Sequence, residues 1–361
     1  MDGPVAVALA VVGTRPNFMK MAPVVADLRR RPGIRTVVVH TGQHYDAAMS
    51  HVFFQQLGLP EPEHHLEVGS GSHTTQTARV LERLEPVLRS VRPDMVLVPG
   101  DVNSTMAAAV AASQQAIPIG HVEAGLRSFD WTMPEERNRV VTDALSDHLF
   151  IHSPEARDNL LAEGRPEAAI HAVGNTMIDT LVAMRGHIDH AGMPERLGLT
   201  AGSYLVVTLH RPALVDGPLL PAALAALRGL DLPVVMPVHP RTRASIDHAG
   251  LPTDPLVLLE PLGYVEFLSL VSAARGVLTD SGGLQEETTW LGVPCFTLRD
   301  NTERPVTVSA GTNTLLGLDP SRISELPSLL AGSRYARPVP DGWDGQAAGR
   351  IGDILQNALS T

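Results

Sequence analysis

Gly276-Val-Leu-Thr-Asp-Ser-Gly-Gly-Leu-Gln-Glu-Glu287 is the stretch that decides how this chain folds. An apolar segment stops at Asp280 and Ser281, two glycines follow, and a helix opens at Leu284. A buried strand that passes through a glycine turn into a helix is the building unit of a parallel α/β sheet. Glycine lets backbone approach a ligand closely, and the unpaired amides of a helix start attract anions. Ser281, Gly282 and Gly283 therefore form a candidate diphosphate cradle, with the Ser281 hydroxyl as an extra donor. Glu286 and Glu287 are expected in the first helical turn, where carboxylates complement the helix dipole. Glu287 is also a candidate acceptor for ribose hydroxyls.

The same grammar extends outward in both directions. Strands are expected near Val5–Val12, Thr36–His40, Met95–Val98, Pro118–Val122 and His148–Ile151. Helices are expected at Pro16–Arg30, Asp46–Leu57, Thr75–Val91, Ser104–Gln115 and Pro134–Leu145. The second half repeats the plan with strands at Tyr204–Leu209, Val234–Val238, Leu256–Leu259, Gly276–Leu278 and Pro294–Leu298. Strands that are apolar throughout and alternate with helices imply parallel sheets covered on both faces. The expected fold is thus α/β, two doubly wound Rossmann-like domains facing a central cleft. The boundaries are 1–180 and 181–344, with a linker over Arg185–Gly202 and a final helix (345–361) rejoining the first domain.

Composition narrows the function. A net charge of −11 disfavours nucleic acid and anionic membrane as partners. The single cysteine, Cys295, rules out an internal disulfide framework and suits the reducing cytoplasm. The apolar Val5–Val12 run is too short to span a bilayer. The 15 histidines show no metal-ligand spacing, and His64 and His65 fall in a Pro/Glu-rich stretch read as loop, so no metal is expected.

In doubly wound sheets, ligands bind beyond the carboxyl ends of strands, so residues just past each strand are the candidates. Gly13-Thr-Arg-Pro-Asn17 offers the forked cation Arg15, with Lys20 one turn on. Thr41-Gly-Gln-His44 follows the second strand, Gly100-Asp101 the third, and His121-Val-Glu-Ala-Gly-Leu-Arg127 the next. Pro134-Glu-Glu-Arg-Asn-Arg139 opens a helix on which Glu135 and Arg139, four apart, share a face. In the second half, His210-Arg211 and His239-Pro-Arg241 end successive strands, and Arg299-Asp-Asn-Thr-Glu-Arg-Pro305 ends the last. Cations and glycines oppose the charge of a departing diphosphate while carboxylates move protons on the attached group. Elimination, epimerisation and glycosyl transfer all fit that description.

At these motifs, from Gly13 to Gly317 and in the same order, the chain resembles the UDP-N-acetylglucosamine 2-epimerase family, most closely the non-hydrolysing type. Val-Gly-Asn-Thr at 173–176 belongs to the same set. The resemblance implies a glycosyltransferase-B-like fold, a homodimer, no cofactor, a UDP-sugar substrate and a place in polysaccharide biosynthesis. It implies a reaction that eliminates UDP across carbons 1 and 2 and re-adds it with the opposite configuration at carbon 2. Carried over by motif, Arg15, His239, Ser281, Gly282, Gly283 and Glu287 hold UDP, with Phe267 beside uracil and Arg127 and Arg304 also on the substrate. Asp101, Glu123, Glu135 and His210 form the acid/base set, with Lys20 and Arg139 close by. Gln43, His44, Gln76, Glu136 and Arg211 match positions where some relatives bind an activating substrate molecule.

The chain departs from the pattern at Asn17, where the family has Glu, at Pro212-Ala213-Leu214, which lacks an acid and an amide, at Thr74-Thr75, and at Val306, which replaces an acid. These changes leave the UDP half of the pattern intact and bear on the sugar side and on regulation. A hydrolysing 2-epimerase or eliminase, a glycosyltransferase, and a non-catalytic nucleotide-sugar-binding protein are the alternatives.

Overall fold

The computed structural model of the protein describes residues 5–42, 59–332 and 339–360, with Arg15 described by its backbone alone. The helix expected at Asp46–Leu57 lies outside the described residues. The chain divides into two compact units, Met1–Ala183 with Asp341–Thr361, and Met184–Pro340.

In the first unit the described strands are β1 (Ala6–Val12), β2 (Ile34–His40), β3 (His64–His65), β4 (Met95–Pro99), β5 (Ile119–Val122), β6 (His148–Ile151) and β7 (Ile170–Ala172). They form one parallel sheet in the order β3-β2-β1-β4-β5-β6-β7. Central β1 shows why its sequence is apolar without alternation. Ala8, Ala10 and Val12 pack with Phe18, Met21 and Val25 of the Arg15–Leu28 helix and with Ile351 and Leu355 of the Ala347–Leu359 helix. Leu9 and Val11 point the other way, into Val80, Leu84 and Leu88 of the His73–Val91 helix and Ala107 and Ala108 of the Asn103–Ser113 helix. Each large side chain so buried contributes roughly 1.5–3 kcal/mol.

The second unit repeats the design. Its described strands β8 (Leu205–Thr208), β9 (Val234–Pro237), β10 (Val257–Leu259), β11 (Gly276–Thr279), β12 (Cys295–Thr297) and β13 (Asn313–Leu315) are all parallel, in the order β10-β9-β8-β11-β12-β13. The expected class, two doubly wound parallel α/β sheets, is the one observed. In both sheets the winding reverses beside the first strand, between β1 and β4 and between β8 and β11, and such switch points open the ligand crevice.

Three local expectations are corrected. His64 and His65 are not loop but the edge strand β3, paired with Val39 and His40. The expected linker Arg185–Gly202 carries the end of the Thr176–His190 helix and a turn of helix at Met193–Arg196. Edge strands β7 and β13 were not anticipated, because Ile-His-Ala and Asn-Thr-Leu are too short and polar to read as strands. The last helix begins at Ala347, where Asp179 accepts from the amides of Ala347 (3.1 Å) and Ala348 (2.7 Å), and Arg31 reaches Asp353 (2.8 Å). No helix among the described residues is long and apolar enough to cross a membrane.

Candidate active site

The ends of β4 and β5, adjacent in the first sheet, bring Asp101 and Glu123 together with two buried cations. Asp101 follows Gly100, whose φ of +64° turns the chain sharply. Its carboxylate pairs with Arg139 Nη1, and its carbonyl accepts from Asn138 Nδ2 at 2.8 Å. Glu123 is held in the left-handed region at φ +70°, a conformation that costs a non-glycine residue about 1–3 kcal/mol. Its amide and that of Ala124 both donate to the Phe150 carbonyl at 3.1 Å, which pins the strained turn. The Glu123 carboxylate lies 2.7 Å from Lys20 Nζ, and both side chains are buried. Each carboxylate thus has its own cation, Asp101 with Arg139 and Glu123 with Lys20.

Arg139 shares the helix with Glu135 but directs its guanidinium to two other carboxylates. It takes Asp101 and Glu136, three residues back, at 2.6 Å, while Glu135 is half-buried on the same Pro134–Leu145 helix. Glu136 also accepts from the amides of Ser128 and Phe129, both at 2.9 Å. Burial works to raise its pKa, but those amides and Arg139 outweigh it and hold the carboxylate low. Glu136 therefore clamps the 128–129 turn. Arg127 is buried and is held by Asp143 (2.7 Å), Glu163 (2.6 Å) and the Leu126 carbonyl (2.7 Å). Gln76 is buried and accepts from Asn103 Nδ2 at 2.8 Å. Gln43, His44 and the Arg15 side chain lie outside the described residues.

In the second unit, β8 and β11 place His210 beside Asp280. His210 Nδ1 is 2.8 Å from Asp280 Oδ1, and the amides of His210 and Arg211 donate to Oδ2, each at 2.8 Å. Burial alone would raise the pKa of Asp280, but the His210 bond and these amides hold it below the ordinary range. Arg211 Nε donates to the Asp280 carbonyl at 2.9 Å. The His239 ring is 5.9 Å from that of His210 and accepts from the Arg241 amide at the start of the Pro240–Ala249 helix. Ser281 caps the Gly282–Leu291 helix without spending its hydroxyl on the cap. Glu286 and Glu287 consequently sit in the second turn, not the first. Glu287 is buried, and Phe267 is half-buried on the Tyr264–Ser272 helix.

Under the cradle lies a buried charge cluster: Glu303 joins Arg299 (2.7 Å) and Arg304, and Arg304 Nε is 3.1 Å from Glu286. Glu286 thus neutralises Arg304 instead of capping a helix, and Arg304 is engaged with both glutamates. Gly282 rests directly on this cluster, since a Cβ there would stand 2.5 Å from Glu303 Oε1 and 2.6 Å from Arg304 Nη1. Gly282→Ala is accordingly expected to displace this ion pair and to lower stability in urea unfolding.

The departures from the family motifs acquire local explanations. Asn17 Oδ1 accepts from Thr14 Oγ1 (3.1 Å) and the Thr14 amide (3.2 Å), and Nδ2 donates to the Pro99 carbonyl (3.0 Å). It ties the helix start to the end of β4 and needs no charge to do so. Leu214 and Val306 are buried, and Leu214 belongs to the apolar core of the second unit. Asn17 and Leu214 thus each have a task in the scaffold. Sequence reasoning missed Asp280, Asn138, Asp143 and the ring of His121. The one available signal was position, an acid directly beyond β11 in the case of Asp280.

The family model of UDP-N-acetylglucosamine 2-epimerase matches residues 26–356. The chain belongs to the UDP-N-acetylglucosamine 2-epimerase family. It is 40% identical over 354 residues to UDP-N-acetylglucosamine 2-epimerase of Methanococcus maripaludis, covering 93% of this chain and 95% of that protein. It is also 40% identical over 353 residues to UDP-2,3-diacetamido-2,3-dideoxy-D-glucuronate 2-epimerase of Pseudomonas aeruginosa, covering 96% and 98%. The crystal structure of Methanocaldococcus jannaschii UDP-GlcNAc 2-epimerase in complex with UDP-GlcNAc and UDP matches with a TM-score of 0.90 at 37% identity, covering 97% of this chain and 99% of that one. As a member of this epimerase family the protein is an isomerase.

Proposed function

We propose that this epimerase interconverts UDP-N-acetylglucosamine and UDP-N-acetylmannosamine. The observation that carries the reading is the pair of cation-held carboxylates, Asp101 with Arg139 and Glu123 with Lys20, at the ends of adjacent strands. A carboxylate of the set Asp101, Glu123 and Glu135 takes the carbon-2 proton as the carbon-1–oxygen bond breaks and its electron pair leaves with UDP. A proton then returns to the opposite face of carbon 2, and UDP re-adds at carbon 1. The base belongs to the set and not to one member. Ser281, the amides of Gly282 and Gly283, Arg15, His239 and Glu287 hold UDP, with Phe267 beside uracil. His210, oriented by Asp280, donates toward the leaving diphosphate. Gln43, His44, Gln76 and Arg211 are the proposed activator contacts. We assign the enzyme to the cytoplasm, as a homodimer supplying polysaccharide synthesis.

Incubation with UDP-N-acetylglucosamine in deuterium oxide should place deuterium at carbon 2, and phosphorus NMR should show a stable mixture of two UDP-sugars. Unlabelled substrate, or free UDP accumulating without limit, would defeat the reading. Ser281→Ala should weaken UDP binding by about 1 kcal/mol, the scale of one hydrogen bond. The likeness to the Pseudomonas enzyme, equal in identity to that of the Methanococcus one, favours a second substrate, the 2,3-diacetamido uronate. The same exchange measurement on both nucleotide sugars ranks the two by rate.

A further inference from the structure

His121 and Asp143 form a fully buried pair beneath the proposed acid/base residues, and the mechanism above does not use them. The ring of His121, on β5, has oxygen acceptors on both sides: Nδ1 lies 2.6 Å from Asp143 Oδ1 and Nε2 lies 2.7 Å from the Gly100 carbonyl. A neutral imidazole has one N–H and one lone pair, so it would turn a lone pair toward one of these oxygens. Asp143 is not a ready donor, because its other oxygen accepts from the Gly125 amide (3.1 Å) and from Arg127 (2.7 Å). A charge count agrees. Arg127 also faces Glu163, so two carboxylates, Asp143 and Glu163, meet one guanidinium, and a ring protonated on both nitrogens balances them.

The Gly100 carbonyl is a sensitive point to hold. The Gly100 amide already donates to the Val122 carbonyl at 2.9 Å, and the His121 ring adds a side-chain tie between the β4 end and β5. A Cβ on Gly100 would stand 2.7 Å from Lys20 Nζ, so the turn that carries Asp101 lies directly under the partner of Glu123. Asp143 and Arg139 ride on one helix, Pro134–Leu145. That helix grips the Asp101 turn three times, directly through Arg139 and Asn138 and indirectly through Asp143, His121 and Gly100.

We infer that His121, with both ring nitrogens protonated, is a positioning residue that fixes the Gly100–Asp101 turn for proton transfer at carbon 2. This role rests on the proposed assignment of Asp101 to the acid/base set. Two substitutions divide the ring's bonds between them. The amide of Asn reproduces the Nδ1 donor toward Asp143, whereas that of Gln reproduces the Nε2 donor toward Gly100.

His121→Asn should lower kcat about 10²-fold, the scale of a misplacement near 1 Å, with KM and UDP affinity within about threefold of wild type. His121→Gln, which keeps the carbonyl tie, should stay within about tenfold of wild-type kcat. In ligand-free wild type, nitrogen NMR should find protons on both ring nitrogens of His121, assigned by their loss in His121→Gln. If His121→Asn does not fold, the wild-type spectrum and the Gln variant decide. Wild-type kcat in the Asn variant, an equal loss in both variants, or a single ring proton would overturn the inference. A wild type that exchanges no deuterium defeats the epimerase reading and this role together, whereas an exchanging wild type with an unchanged Asn variant defeats this role alone.

Discussion

Asp101→Asn should cut carbon-2 exchange by roughly 10³-fold, within the 10²–10⁴ that a positioned acid or base supplies. UDP binding by calorimetry should stay within about twofold of wild type, because the change removes proton transfer and not a diphosphate contact. The amide matches the carboxylate in size, so its carbonyl oxygen can still face Arg139 Nη1, and the main-chain bond from Asn138 is untouched. Arg139 keeps Glu136 as a partner, so no buried cation is abandoned. The variant should therefore fold and bind UDP but leave carbon 2 unlabelled in deuterium oxide. Exchange within tenfold of wild type would remove Asp101 from the proton path. Loss of UDP binding alongside exchange would mean the turn had been displaced, and His121→Asn would then be the informative comparison.

The largest stability effect is expected at Glu303→Gln. Glu303 is buried between Arg299, at 2.7 Å, and Arg304, so neutralising it takes one carboxylate from two buried guanidinium groups. Breaking one partner of a buried charge pair costs roughly 3–5 kcal/mol, measurable by urea unfolding. Burial opposes the charged form of Glu303, but Arg304 and Arg299 outweigh it and hold its pKa well below the ordinary 4.5. A depressed folded-state pKa contributes stability that is present above the unfolded value and is lost as pH falls through the folded one. Wild type should therefore lose part of its stability below about pH 4.3, the unfolded glutamate range, and the Gln variant should show a flatter slope there. Equal slopes would show that Glu303 is not charged in the folded protein.

The candidate site was legible in the sequence wherever a chemical group follows a strand directly. Gly100-Asp101, Glu123, His210 and Ser281-Gly-Gly283 were found by that position alone, and each lies at a strand end in the structure. Reading failed where a side chain's task depends on its neighbours. Arg127 and Arg139 look alike as cations past a strand or on a helix, yet Arg127 is locked by Asp143 and Glu163 while Arg139 reaches Asp101. Asn17 looked like a lost acid on the substrate side and is a helix-start anchor. Glu286 looked like a dipole cap and is the buried partner of Arg304.

Local pattern determined the class of this protein, because the period of apolar residues and the punctuation by glycine act within a few residues of one another. Val-rich runs without alternation read as strands covered on both faces, and Asp-Ser-Gly-Gly as a turn into a helix whose first amides suit an anion. What the tertiary structure alone decided is adjacency across long separations. The sheet order places β4 beside β5, and so Asp101 near Glu123, and it places β8 beside β11, and so His210 against Asp280, 70 residues away. Such pairs are set by which strands share hydrogen bonds and by the charges that burial forces into contact. Neither the order of strands in a sheet nor the partner of a buried charge leaves a mark in local spacing, since both follow from the packing of the whole unit.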